Sequence, residues 1–112
     1  MNEITKVSDI TAQDLADYIR LIDYSNDDLQ TLNNLLNVAT TFITNYTGRT
    51  SLDDYQDFVI VVFILVQDMW DNRTLYVDKN NLNKVVETIL GMHSVNLLWK
   101  VIWLMQENTT EK

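Results

Sequence analysis

Apolar and polar positions fall in blocks along this chain, and the longest apolar block, FVIVVFILV at 58–66, sets the frame for the others. Ser51 stands before it as an N-cap, with Asp54 three residues on, as in a capping box. Asp53, Asp54 and Asp57 fall near the positive end of a helix dipole and Arg73 near its negative end. Tyr55, Phe58, Val59, Val62, Phe63, Val66, Met69 and Trp70 recur at the spacing of a buried helical face. The pattern predicts one helix over about 51–73. Its middle is apolar all round and needs cover on every side. A membrane span needs roughly 20 apolar residues, and here Gln67 and Asp68 end the run at nine. The β-branched content also suits a buried strand, but no nearby segment reads as a partner strand.

The flanking blocks read as shorter amphipathic helices. Thr11 caps a first one over 12–21, with Asp14 at the capping-box position and Leu15, Tyr18, Ile19 and Ile22 as its apolar face. A turn at 22–26 follows, and Ser25 or Asn26 caps a second helix whose first turn holds Asp27 and Asp28. Leu29, Leu32, Leu35, Leu36, Ala39, Phe42, Ile43 and Tyr46 step by three and four over roughly 20 residues. Gly48 ends that helix in the left-handed conformation. The short joint to Ser51 predicts an antiparallel hairpin of the second and third helices.

Past Arg73, residues 74–79 form a connection in which Leu75, Tyr76 and Val77 add a short extended piece. Asp78 or Asn80 caps a fourth helix carrying Leu82, Val85, Val86, Ile89 and Leu90, which Gly91 weakens or ends. The stretch 94–105 fits a helix capped by Ser94 and equally a strand. Its Trp99 and Trp103 either pack on the core or form a subunit interface with another chain. The ends, 1–10 and 106–112, read as loosely ordered. The prediction is an all-α single domain over 1–112, a small antiparallel bundle of four to five helices around the central apolar one.

Composition narrows this picture. The 112 residues include no proline and two glycines, which disfavours a β fold built on many tight turns. With no cysteine there is neither a disulfide framework nor thiolate chemistry. MNEITKVSDI lacks the apolar core of a signal peptide. The net charge of −8 argues against direct binding to nucleic acid or to an anionic membrane surface. The acidity reads as solubility and self-repulsion, with complementarity to a basic partner as the sharper alternative.

A search for catalytic chemistry returns little. His93 is the single histidine and sits in an apolar setting that suits a hydrogen-bonded structural residue. Asp53, Asp54 and Asp57 lack the alternating spacing and glycine of a calcium loop and read as a solvated helix start. No nucleophile elbow is present, and Gly48 and Gly91 make no phosphate loop. We therefore assign no catalytic, cofactor-binding or metal residue and expect no enzyme. Arg49 and Arg73 fall at opposite ends of the predicted hairpin. Each is placed to hydrogen-bond carbonyls at a helix end, and Arg73 alternatively to pair with Asp68 or Asp71.

Two short motifs add a resemblance. Asn45, Tyr46, Thr47, Gly48 and Arg49 stand at one helix end, and an apolar helix then ends in Met69, Trp70, Asp71, Asn72 and Arg73. Their order and spacing over about 10–98 resemble the head–tail connector (adaptor) family of long-tailed double-stranded DNA phages. The family runs from a short helix to a longer one ending in a Tyr-Thr-Gly-Arg-like motif, then to an apolar helix ending in an aromatic-x-Asn-Arg-like motif. The resemblance implies a structural virion protein, a DNA-packaging-like connector whose helical subunits assemble into a ring beneath the portal protein and extend the DNA channel toward the tail. Its implied partners are copies of itself, the portal protein and a tail-side stopper or completion protein. DNA passes through without specific binding, no membrane is involved, and no cofactor is implied. Its implied location is the head–tail junction of the virion, and the host cytoplasm during assembly. Tyr46, Thr47, Gly48, Arg49, Trp70, Asn72 and Arg73 carry over as fold or interface signatures. The chain from Trp99 onward departs from the pattern. The competing reading is a small acidic regulatory protein that binds a basic protein partner as a monomer or dimer.

Overall fold

The computed structural model describes residues 4–94, and in them every regular element is helical. Helix α1 is Ala12–Ile19, α2 is Asn26–Thr47, α3 is Asp57–Asn72 and α4 is Lys84–His93, with single 3-10 turns at Val7–Asp9 and Lys79–Asn81. The four helices pack in contact as a small bundle. Residues 74–79, where a short extended piece was expected, contain no strand. The expectations for 95–112, including those for Trp99 and Trp103, fall outside the described residues.

Local chemistry sets most of the boundaries. Thr11 caps α1 and Ser25 caps α2, each through a full capping box closed by Asp14 and Asp28. Such a cap satisfies two amide groups that the first turn leaves without partners, worth about 1 kcal/mol. The α2 helix ends at Gly48 with φ 76°, a conformation that costs glycine nothing. Two arginines take that conformation without the same freedom. Arg20 ends α1 at φ 66° and Arg73 ends α3 at φ 56°. After each, the next amide closes the helix, Leu21 onto the Ala16 carbonyl and Thr74 onto that of Met69.

Three boundaries differ from the sequence pattern. The central helix starts at Asp57, not near Ser51, and Ser51 caps nothing. The reason is a contact remote in sequence. The Asp53 carboxylate accepts hydrogen bonds from the Ser8 amide (3.0 Å) and hydroxyl (2.8 Å), and Leu52 is buried. That anchoring bends 48–56 into a loop, so the α2–α3 joint is longer than expected. The same contact docks the lead-in, where Val7 and Ile10 are buried in the core. On α4 the cap is Asn83, while Asp78 caps the preceding 3-10 turn and Asn80 caps neither. Helix α4 continues through Gly91 to His93; its last turn is held by the contacts of His93 described below.

The core forms around α3 as the pattern required. Phe58, Val59, Val61, Val62, Phe63, Leu65, Val66 and Met69 are buried there, each contributing roughly 1.5–3 kcal/mol on leaving water. From α2 come Leu32, Leu35, Ala39 and Ile43, from α1 Leu15 and Ala16, and from α4 Val86 and Leu90. Tyr18 of α1 stacks on Phe63 with centroids 4.9 Å apart. Cover on every side fails at one place: Ile60 is 53% exposed. Early α2 residues Asp28 and Thr31 share a cleft with Trp70 and Arg73 of late α3, while Arg49 past the end of α2 lies over Tyr55 just before α3. The two helices are therefore antiparallel, as expected. Helix α4 runs antiparallel to α3, since its last residue meets the first residue of α3.

Candidate functional site

The Tyr46, Thr47, Gly48 and Arg49 motif builds a clasp that ties three helix ends together. Thr47 is fully buried. Its hydroxyl donates to the Ile43 carbonyl at 2.7 Å and accepts from the Arg49 amide at 3.2 Å. Gly48 turns the chain, donating to the Thr44 carbonyl at 2.8 Å. This turn aims Arg49 across the bundle, where its Nε donates to the His93 carbonyl at 2.6 Å. The Arg49 guanidinium also lies 4.7 Å from the Tyr55 ring centre, within cation–π range. Arginine thus caps a helix end, but that of α4 and not of its own α2. Tyr46 contributes its carbonyl, which accepts from the Ser94 hydroxyl at 3.4 Å.

His93 completes the clasp. Its ring stacks on Tyr55 at 4.0 Å, meets Phe58 edge-on at 5.2 Å, and its Nε2 lies 3.2 Å from Asp57 Oδ2. The histidine side chain is 13% exposed and the aspartate 52%, so any charge on the imidazole is shared with a wet carboxylate and contributes little beyond the stacking. The hydrogen-bond partner expected for His93 is the Asp57 carboxylate. Asp57 and Tyr55 are the clasp members that spacing alone missed. Asp57 read as a solvated helix start, and the 36-residue separation from His93 leaves no local signal. Among the described hydrogen bonds, none joins His93 to a serine or threonine hydroxyl. Among the described residues, no group of three or more acidic or histidine side chains is placed to hold a metal ion.

The second motif lies at the far end of the hairpin. Trp70 is half-buried, and Asn72 donates from Nδ2 to the Asp68 carbonyl at 2.9 Å. Asn72 thus adds a side-chain donor to a carbonyl in the last turn of α3. Arg73 makes neither of the contacts the sequence suggested. Among the described residues its guanidinium forms no hydrogen bond and no ion pair with Asp68 or Asp71. Its backbone is left-handed, and its amide donates to the carbonyls of the last turn of α3. It borders a surface cleft of about 280 Å³ with Trp70, Leu75 and Asp28. Partial burial, and then the neighbouring Asp71 carboxylate, raise the Asp68 pKa above its ordinary value.

The three carboxylates after Ser51 therefore do not act as one cluster. Asp53 serves Ser8, Asp57 serves His93, and Asp54 is exposed. Hydrogen bonds from the Ser8 hydroxyl and amide, with Lys6 adding attraction, lower the Asp53 pKa. No helix among the described residues is long and apolar enough to cross a membrane. Comparison of the chain with family models, with curated proteins and with solved structures finds no match.

Proposed function

We propose that this chain is a ring-forming head–tail connector subunit of the long-tailed phage type. It works by fit against copies of itself, the portal protein and a tail-side stopper or completion protein, and it transforms no substrate. One observation carries the reading. The two motifs behind the resemblance occupy opposite ends of one antiparallel hairpin, the first as a clasp and the second ending in an arginine that has no hydrogen-bond or ion-pair partner among the described residues. A subunit that must present the same surfaces in every copy needs its helix ends fixed, and contact residues must be left over for neighbours. Exposed Ile22, Ile60, Leu75, Tyr76, Val85 and Met92 supply apolar surface of that kind. The net charge of −8 suits a channel wall along which DNA slides without adhering.

Electron microscopy of the full chain mixed with its portal protein tests the proposal. Added ring density beneath the portal is the expected result, and a bare portal overturns it. The acidity also favours a second reading, a regulator of a basic protein. Light scattering separates the two: a stable small complex with a cationic partner, together with a bare portal, replaces the connector by the regulator.

A further inference from the structure

Helix α3 is least covered along the line of Ile60 and Ile64. Ile60 is 53% exposed and Ile64, one turn on, is half-buried. On α4, Val85 is 51% and Met92 65% exposed, with Ile89 half-buried between them. The helix ends fix how these residues lie relative to one another. Successive residues are about 100° apart around a helix. Ser94 faces Tyr46 of α2, and His93 faces Asp57 of α3. Met92 lies about 100° further round in the same sense, on the flank of α4 away from α2. Val85 and Ile89 share that flank by helical spacing. It adjoins the outer stripe of α3, where Asp57, Ile60 and Ile64 follow one another. By this spacing the apolar residues of the two helices lie toward one side of the bundle, with Asp57 and, one turn past Ile64, Asp68 beside them.

The sequence beyond Ser94 matches this strip in character. Nine of the eleven residues 95–105 are apolar, Trp99 and Trp103 among them, and the single charge is Lys100. The strip offers apolar surface to the former and Asp57 to the latter. We infer that the 95–105 segment of one copy docks on the Ile60, Ile64, Val85, Ile89 and Met92 strip of a second copy. The exit point selects a second copy over the chain's own strip. Ser94 is buried and turned toward Tyr46, on the side of α4 opposite the strip. Arg49, Tyr55 and His93 fill the helix end that a returning chain has to round. A segment of one copy on the body of the next is a head-to-tail contact, which closes into a ring when the rotation allows. The inference deepens the connector reading and rests on it for ring closure alone.

Because the chain has no cysteine, introduced thiols are the only ones present. The test uses full-length Ile60→Cys carrying a mass tag and full-length Asn96→Cys, Lys100→Cys or Leu104→Cys without one. Each pair is mixed and mildly oxidised. At least one pair is expected to give the tagged–untagged dimer well above either homodimer. The matching double variant, at high dilution, is expected to keep both thiols free. A disulfide closed within one double-variant chain overturns the inference in favour of the chain's own segment. No mixed disulfide at any of the three positions overturns it outright. Microscopy of the unmodified chain with portal separates the two ideas. Ring density without the cross-link removes this contact and keeps the connector, whereas a cross-link without ring density keeps the contact and removes the connector.

Discussion

The Nε of Arg49 donates a 2.6 Å hydrogen bond to the backbone carbonyl of His93, 44 residues further along the chain. That bond joins the loop after α2 to the last turn of α4, and the cation–π contact with Tyr55 brings in the approach to α3. Hydrogen bonds to charged groups contribute about 1.5–3 kcal/mol. Arg49→Ala is therefore expected to lower the unfolding free energy by about 2 kcal/mol in urea titration. Arg49→Lys should recover less than half of that loss, because an ammonium lacks the planar face that lies over Tyr55.

Burial separates two neighbours on α3. Phe63 is 5% exposed and stacked on Tyr18, so Phe63→Ala should cost roughly 3–5 kcal/mol. Ile60 is 53% exposed, and Ile60→Ala should cost less than about 1 kcal/mol in the dilute subunit. Chemical denaturation of both variants at one low concentration checks the contrast. A loss below 1 kcal/mol for Phe63 would remove it from the core.

Left-handed helix ends give a third pair with opposite signs. A side-chain-bearing residue at such a φ costs about 1–2 kcal/mol, part of which glycine returns through the greater freedom of the unfolded chain. Arg73→Gly, at φ 56°, should stabilise the protein by about 0.5–1 kcal/mol, and Gly48→Ala, at φ 76°, should destabilise it by about 1 kcal/mol. Thermal melts of the two variants should move in opposite directions. Loss of portal binding in a stabilised Arg73→Gly variant would place the guanidinium in an interface.

Two aspartates give acid dependences of opposite sign. The Asp53 pKa is lowered in the fold, so its contribution is present above the ordinary value of 3.8 and is lost as pH falls through the folded pKa. The Asp68 pKa is raised, so its ionisation opposes folding. That penalty is absent below 3.8 and grows as pH rises through the folded value. At neutral pH, Asp68→Asn should raise stability and Asp53→Asn should lower it. Urea midpoints measured from pH 3 to pH 7 check both, and a rise with Asp53→Asn would break its assignment to Ser8.

Elements closed by neighbours in sequence were legible before any coordinates. The Thr11–Asp14 box and the Gly48 stop lie where a local reading puts them, and the Ser25–Asp28 box decides the α2 cap that the pattern left open between Ser25 and Asn26, because each is completed within a few residues. Ser51 and Asp54 carry the same spacing and fail. Here Asp53 is drawn to Ser8, 45 residues back, and Leu52 goes into the core, which a local pattern does not encode. The candidate site divides in the same way. The turn made by Thr47 and Gly48 was readable, whereas the meeting of Arg49, Tyr55, Asp57 and His93 depends on how α4 lies across α3. The exposure of Ile60 was hidden for a related reason. A run that is apolar on all faces does not indicate which face the neighbours leave open.

The Arg49 bond holds α4 at its last residue. Toward its other extremity buried Val86 holds it to the core, and Leu82, two residues before α4 begins, borders a surface cleft of about 240 Å³ with Leu65 and Met69. Helix α4 is thus fastened by a polar latch at its last residue and by apolar packing at Val86 and Leu90 along its length.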